Sequence, residues 1–190
     1  TTGTGLLAVG FQALYNNTTG TANTAVGNNF AGTIGGAMFS NTTGTKNTAV
    51  GSGALYGNST GSNNTGLGFK ALMSNTTASG NTAVGSEALL TCSTGHSNTA
   101  VGNYALQDLT TATHCTGLGK SALTDNTTGA FNIGIGNFSL FENTTGANNT
   151  AVGYNALASN TTADGNTAVG SAALDANTTG SLHVAVGISA

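Results

Sequence analysis

The sequence predicts an all-β fold: a β-solenoid or β-roll of about eleven coils, with two short parallel strands in each coil. Three observations predict it. A 17-residue unit recurs along the 190-residue chain. Each unit pairs Thr-Ala-Val, a compact alternating strand signal, with Asn-Thr-Thr-Gly, whose residues favour turns. The chain has no proline, so every strand N–H is free to bond to the next coil.

The period is plainest in Asn-Thr-Ala-Val-Gly at 23–27, 47–51, 81–85, 98–102, 149–153 and 166–170. Variants fill the gaps, as in Asn64-Thr65-Gly66-Leu67-Gly68 and Asn132-Ile133-Gly134-Ile135-Gly136. The closing glycines are Gly10, Gly27, Gly51, Gly68, Gly85, Gly102, Gly119, Gly136, Gly153, Gly170 and Gly187, spaced by 17 residues with one interval of 24. The long interval holds a seven-residue insertion near 30–36, and the register resumes at Ala37-Met38. Insertions of this kind map to loops on one face of a solenoid. Residues 1–190 thus form a single repeat domain.

Each element of the unit has its reason. Helical repeats need about 33 residues or more per unit, and helices disfavour Gly, Thr and Asn. Seventeen residues suit two strands and two turns. Thr-Ala-Val supplies the first strand, and the Ala-Leu stretch after the closing glycine is expected to supply the second. Asn-Thr-Thr-Gly is expected to turn the chain, because Asn and Gly tolerate positive φ. Coils stacked at the interstrand spacing of about 4.8 Å would make a rod on the order of 50 Å long.

Certain columns hardly vary. Two places before the closing glycine stand Ala25, Ala49, Gly66, Ala83, Ala100, Gly117, Gly134, Ala151 and Ala168; one place before it stands Val, Leu or Ile in every coil. Alternation puts the strand Thr and Val on one side and the Ala/Gly ladder on the other. Two readings follow. The ladder lines a thin solenoid core, or it forms a face that packs against identical subunits, where only Ala or Gly allows close backbone approach. The second reading leaves Val buried. Recurrent Asn is expected to hydrogen-bond along the rod from coil to coil.

Asn-Thr-Ala-Val-Gly-x-x-Ala resembles the repeat of trimeric autotransporter adhesin heads, and units with Ala-Leu and Asn-Thr-Thr-Gly resemble those of phage and bacterial tail fibres. The resemblance spans essentially the whole chain. It implies a left-handed roll, a homotrimer or longer fibre, and an extracellular place on a virion or cell surface. Two departures stand out: the unit is longer than the usual adhesin-head repeat, and Thr replaces the first apolar strand residue. The ends break the repeat in mid-unit without polar caps, which fits a segment of a longer shaft.

Composition excludes much else. Charged residues are 5% of the chain against about a quarter in a typical domain. Three basic residues and a net charge of −3 make no nucleic-acid face and no polybasic membrane anchor. No apolar run is long enough for a membrane-spanning helix. The six acids (Glu87, Asp108, Asp125, Glu142, Asp164, Asp175) show no recurrent pair on inspection, and no P-loop lysine or calcium nonapeptide is present. No catalytic residue, metal or cofactor is therefore expected. Cys92, His96, His114 and Cys115 leave three readings open: a Cys92–Cys115 disulfide, two unbridged thiols in Asn positions, or a zinc site with the histidines. The sequons at Asn17, Asn41, Asn58, Asn75, Asn126, Asn143, Asn160 and Asn177 read first as turn chemistry, and as an edge of sugars if the host glycosylates.

The leading function is a structural or adhesive fibre, self-associating and touching a surface glycan or receptor. An ice-binding solenoid using its Thr ladders is the alternative. Against it, the paired Thr read as turns and the strand Thr would share its side with buried Val. A glycan-binding head is the third reading, with Phe11, Phe69, Tyr104, Phe138 and Tyr154 as possible surface contacts.

Overall fold

A computed structural model describes residues 2–28 and 35–190. The insertion at 30–36 lies largely outside the described residues. Eleven three-residue strands form one parallel sheet in chain order. They are β1 Leu7–Val9, β2 Thr24–Val26, β3 Thr48–Val50, β4 Thr65–Leu67, β5 Thr82–Val84, β6 Thr99–Val101, β7 Thr116–Leu118, β8 Ile133–Ile135, β9 Thr150–Val152, β10 Thr167–Val169 and β11 Val184–Val186. Each strand pairs with the next in strict repeat register, as Thr82 with Thr99, Ala83 with Ala100 and Val84 with Val101. Among the described residues no helix is long and apolar enough to cross a membrane.

Each coil contains one strand, not the expected two. The Ala-Leu stretch is turned backbone, and its second and fourth residues after the closing glycine are left-handed. Lys70 and Leu72 have φ of 55° and 53°, Glu87 and Leu89 of 58° and 50°. The cause is packing. In a strand, adjacent side chains point to opposite faces, yet Ala54 and Leu55, or Ala71 and Leu72, are both fully buried. Left-handed backbone turns both inward. It costs about 1–3 kcal/mol per non-glycine residue, and burying a leucine returns about 1.5–3 kcal/mol. Backbone bonds between coils continue through this stretch and tip the balance, as Leu55 N–H donates to Ala71 O at 2.9 Å and Gly57 N–H to Met73 O at 2.8 Å.

Positive φ also falls elsewhere than expected. Neither the Asn nor the Gly of Asn-Thr-Thr-Gly adopts it; the residue just before each strand-entry Asn does, as in Asn63 at 59° and Asn148 at 58°. The closing glycines outside Gly27 hold φ of 118° to 140°, a region that other residues barely reach.

Inside the coil the sheet turns its Ala/Gly ladder inward. Ala25, Ala49, Ala83, Ala100, Ala151 and Ala168 are wholly buried, and Gly66, Gly117 and Gly134 continue the column. Opposite them lie Leu55, Leu72, Leu89, Leu106, Leu123, Leu140 and Leu157, with Met38 in the same column. The solenoid-core reading therefore describes this chain. The small-residue face is already filled by its own coil and presents nothing to another subunit. The residues are small because the coil is thin: a Cβ on Gly66 would sit 3.1 Å from Ala71 O and 3.4 Å from Leu55 Cγ.

Two columns of buried asparagine complete the interior. Turn asparagines form an amide ladder, each donating to the Oδ1 of the coil before: Asn41 to Asn17 at 2.7 Å, Asn58 to Asn41 at 2.7 Å, Asn75 to Asn58 at 2.6 Å. Each also donates within its turn, as Asn58 does to Gly61 O at 3.0 Å. Entry asparagines donate to the next coil's turn, as Asn47 to Gly61 O, while their Oδ1 accepts the following entry N–H, as from Asn64 to Asn47 at 2.9 Å. Buried amides are tolerable only when paired. These pair one another from coil to coil, save at Asn75, whose buried Oδ1 has no partner.

Candidate functional surface

What the coil does not bury, it presents in columns. Thr24, Thr48, Thr65, Thr82, Thr99 and Thr116 stand in six consecutive strands on the outer face of the sheet, half-buried or exposed. Ile133 interrupts the column, and Thr150 and Thr167 resume it. Two residues on, Val26, Val50, Val84, Val101 and Val152 are half-buried, while Leu67, Leu118, Ile135 and Val169 are 36% to 45% exposed. The strand Val is thus an outward residue, not the buried one expected. Alternation is the cause: with Ala turned inward, both its neighbours must face out. No strand-threonine hydroxyl is hydrogen-bonded among the described residues.

The turn threonines behave differently from each other. The first of each pair, or the serine that replaces it, donates to the equivalent carbonyl of the next coil: Thr42 to Ser59 O at 3.0 Å, Ser59 to Thr76 O at 2.9 Å, Thr144 to Thr161 O at 3.0 Å. The second points outward.

The aromatic residues expected at the surface are scattered over two columns beside the closing glycine. Phe11, Tyr104 and Tyr154 are exposed, while Phe69 and Phe138 are half-buried. Lys70 Nζ lies 4.9 Å from the Phe69 ring. Phe138 contacts Phe141 and Tyr154 edge to face, with centroids 5.6 and 6.4 Å apart. Tyr15, Phe39 and Tyr56 stack on one another at 5.4 Å, so each internal ring face is already covered. Ring contacts across coils thus tie Phe138 to Tyr154 and Tyr15 to Phe39 and Tyr56, while Phe11 and Tyr104 stand exposed.

The cysteines and histidines do not form a site. Both thiols are buried and free, so the disulfide reading is corrected. Cys92 stands in the turn-asparagine column and donates to Gly95 O at 3.2 Å; Cys115 stands in the entry column and donates to Gly129 O at 3.2 Å. They thus belong to different ladders, each thiol taking the place and the hydrogen bond of an amide. Burial pushes the Cys92 thiol up to about 12 and raises that of Cys115 too. His96 and His114 lie outside on the exposed edge, rings 5.4 Å apart, and His114 stacks on Phe131 at 5.0 Å. The backbone therefore separates His114 from the inward Cys115. Among the described residues no group of three His, Cys, Asp or Glu is placed to hold a metal ion.

One recurrence escapes inspection of the sequence. Asp108, Asp125 and Glu142 are spaced by 17 residues, so the fold stacks them in adjacent coils. Partial burial, with repulsion from Asp108 and Glu142, raises the Asp125 carboxyl above its ordinary range. The repeat arithmetic was the signal. The sequons are equally altered by the fold: Asn41, Asn58, Asn75, Asn126, Asn143 and Asn160 are fully buried with their amides in the ladder, so the edge of sugars has no place on the folded chain.

The surface therefore offers ranks of side chains and no cavity among the described residues. Set against protein-family models, curated proteins and solved structures, the chain matches none of them.

Proposed function

We propose that the chain is a non-catalytic rod that binds ice through the outer Thr-x-Val face of its sheet. The observation that carries this reading is the outward direction of both the threonine and the valine columns. It removes one objection raised from the sequence, since the valines beside the strand threonines are not buried; the paired threonines of Asn-Thr-Thr-Gly lie in turns, as expected. The ranks repeat at the interstrand spacing of about 4.8 Å, close to the oxygen repeat along the a axis of hexagonal ice. Side-chain ladders of the kind inside this rod are the circumstance in which many-stranded sheets stay flat. Methyl groups of Thr and Val with unpaired hydroxyls and no charge form a surface that orders water without competing ion hydration.

Thermal hysteresis tests it. The chain is expected to depress the freezing point below the melting point and to shape ice crystals. Thr82→Tyr and Thr99→Tyr are expected to abolish the effect, and Ser74→Tyr, at an exposed turn position, to preserve it. A folded chain without hysteresis rejects the reading.

A second reading uses the same face. The apolar residue before each closing glycine is present in all eleven coils, and Leu67, Leu118 and Ile135 are exposed. Copies of the chain packed by this stripe would make a trimeric shaft or adhesive fibre on a virion or cell surface, in line with the resemblance to adhesin heads and tail fibres. Sedimentation equilibrium separates the two: a stable trimer without hysteresis supports the fibre, and an ice-active monomer rejects it.

A further inference from the structure

We infer that the second threonine of each turn pair, from Thr19 to Thr179, forms a second ice-contacting edge of the same rod. The inference rests on the ice-binding reading above and extends it to a column outside the sheet.

The contrast between the two turn positions carries it. At the first, the hydroxyl bonds along the rod, and Ser59 and Ser93 do this as Thr42 or Thr76 do, donating to Thr76 O at 2.9 Å and Thr110 O at 3.3 Å. Where only the hydroxyl matters, serine and threonine interchange. At the second position all ten residues are threonine and all ten are exposed. None of their hydroxyls is hydrogen-bonded among the described residues. Seven of their backbone N–H groups do bond, as Thr43 to Ser59 O at 3.1 Å and Thr60 to Thr76 O at 3.2 Å, but any residue except proline supplies that donor.

The coil therefore gives no internal reason for threonine. A turn would accept Ser, Asn or Asp here, and β-branching alone would admit Val or Ile. Threonine is the one residue that offers a hydroxyl and a methyl from the same Cβ. A column constant in both groups, in register with the coils, matches a ligand that is itself periodic and reads both. Ordered water at an ice surface is such a ligand. The strand column shows the same preference: its eight polar members are all threonine and none is serine.

The test replaces Thr60, Thr77, Thr94, Thr111 and Thr128 together with serine, which keeps each hydroxyl and removes each methyl. The control makes the same change at Thr76, Thr110 and Thr127, where serine already occurs in other coils. Thermal hysteresis at equal concentration is expected to fall by more than half in the first set and to stay at the wild-type level in the control. Far-ultraviolet circular dichroism and the melting transition verify folding, and a valine set serves if the serine set melts early. Folded second-threonine variants with full activity overturn this edge and leave the sheet reading standing. A wild-type chain without hysteresis rejects both.

Discussion

The turn-asparagine ladder has one break, and the break makes a quantitative prediction. The column reads Asn17, Asn41, Asn58, Asn75, Cys92, Leu109, Asn126, Asn143, Asn160, Asn177. Each asparagine donates to the coil before, so the Oδ1 of Asn75 awaits a donor from position 92. Cys92 sends its thiol to Gly95 O instead, and Asn75 Oδ1 is left buried without a partner. Such an orphan costs about 1–3 kcal/mol. Cys92→Asn alone is expected to change stability by no more than about 1 kcal/mol, because it satisfies Asn75 but leaves its own Oδ1 facing Leu109. Leu109→Asn alone removes a fully buried leucine and is expected to cost about 1.5–3 kcal/mol. Only the double variant runs the ladder from Asn17 to Asn177 without an unpaired buried oxygen. The two changes are therefore expected to couple favourably by about 1–3 kcal/mol. Urea unfolding of the four proteins, monitored by circular dichroism and closed as a double-mutant cycle, measures that coupling. Additivity within about 0.5 kcal/mol would refute the reasoning, since it would mean that the amide at 92 gains nothing from an amide at 109.

Three more expectations follow from the interior and from the acidic column. Asp125 carries a folded-state carboxyl raised by burial and by Asp108 and Glu142, so its charge weakens the fold once pH rises through that elevated range. Asp125→Asn should then melt higher than wild type at pH 7 and match it well below the ordinary carboxyl range; a lower melting point at pH 7 contradicts this. With the Cys92 thiol pushed up to about 12 and both sulfurs buried, the native chain should not react with a thiol reagent at pH 8, while the unfolded, unreduced chain should show two thiols. Rapid native labelling, or no thiols on unfolding, counts against the arrangement. Gly85→Ala should cost more than about 3 kcal/mol, because φ is 137° there and the new Cβ would strike Gly102 O; Gly66→Ala should be tolerated, since most coils carry alanine in that column. Equal melting points for the two variants would show that the closing glycines are not required by the backbone.

The number of coils, their length and their closing glycines are legible in the sequence because they are matters of period. The facing of each strand is not, because alternation in Thr-Ala-Val is satisfied equally with Ala inward or outward. What decides it is the pair that follows. Ala54 and Leu55 both point inward, as do Ala71 and Leu72, and no extended strand can turn two neighbours to the same side. Once the leucines fill one wall of the coil, the space left opposite admits only Ala or Gly, and Val must face out. The entry asparagine offers a second clue. Asn64 lies two residues before Gly66, hence on the same side, and an amide that bonds from coil to coil belongs in the interior. The left-handed leucines were not readable for a different reason. Local propensity argues against Leu at positive φ, and only burial with continuous bonds between coils overrides it.

The same distinction between inner and outer columns bears on function. A column constant in sequence and buried in the fold, such as the core leucines, is accounted for by packing. One that varies freely, such as the residue directly after each closing glycine, makes no demand on side-chain identity. The columns that need an external explanation face outward and recur in most or all coils: the strand threonines, the apolar residues two places on, and the second turn threonines. Strand propensity covers part of this, because β-branched residues suit an extended backbone. It does not cover the turn threonines, which lie outside any strand, and it does not explain why serine never replaces threonine in either column. A periodic rod whose outward columns are threonine, with a methyl and a hydroxyl, and Val, Leu or Ile, with methyls alone, is shaped to meet something equally periodic, and Ile133 in the middle of the strand column sets a boundary on that contact. If the sheet is the operative face, the six threonine ranks from Thr24 to Thr116 should carry most of the activity. Ile133→Thr, joining them to Thr150 and Thr167, should then raise hysteresis, and an unchanged value would show that the contact never extends past β7.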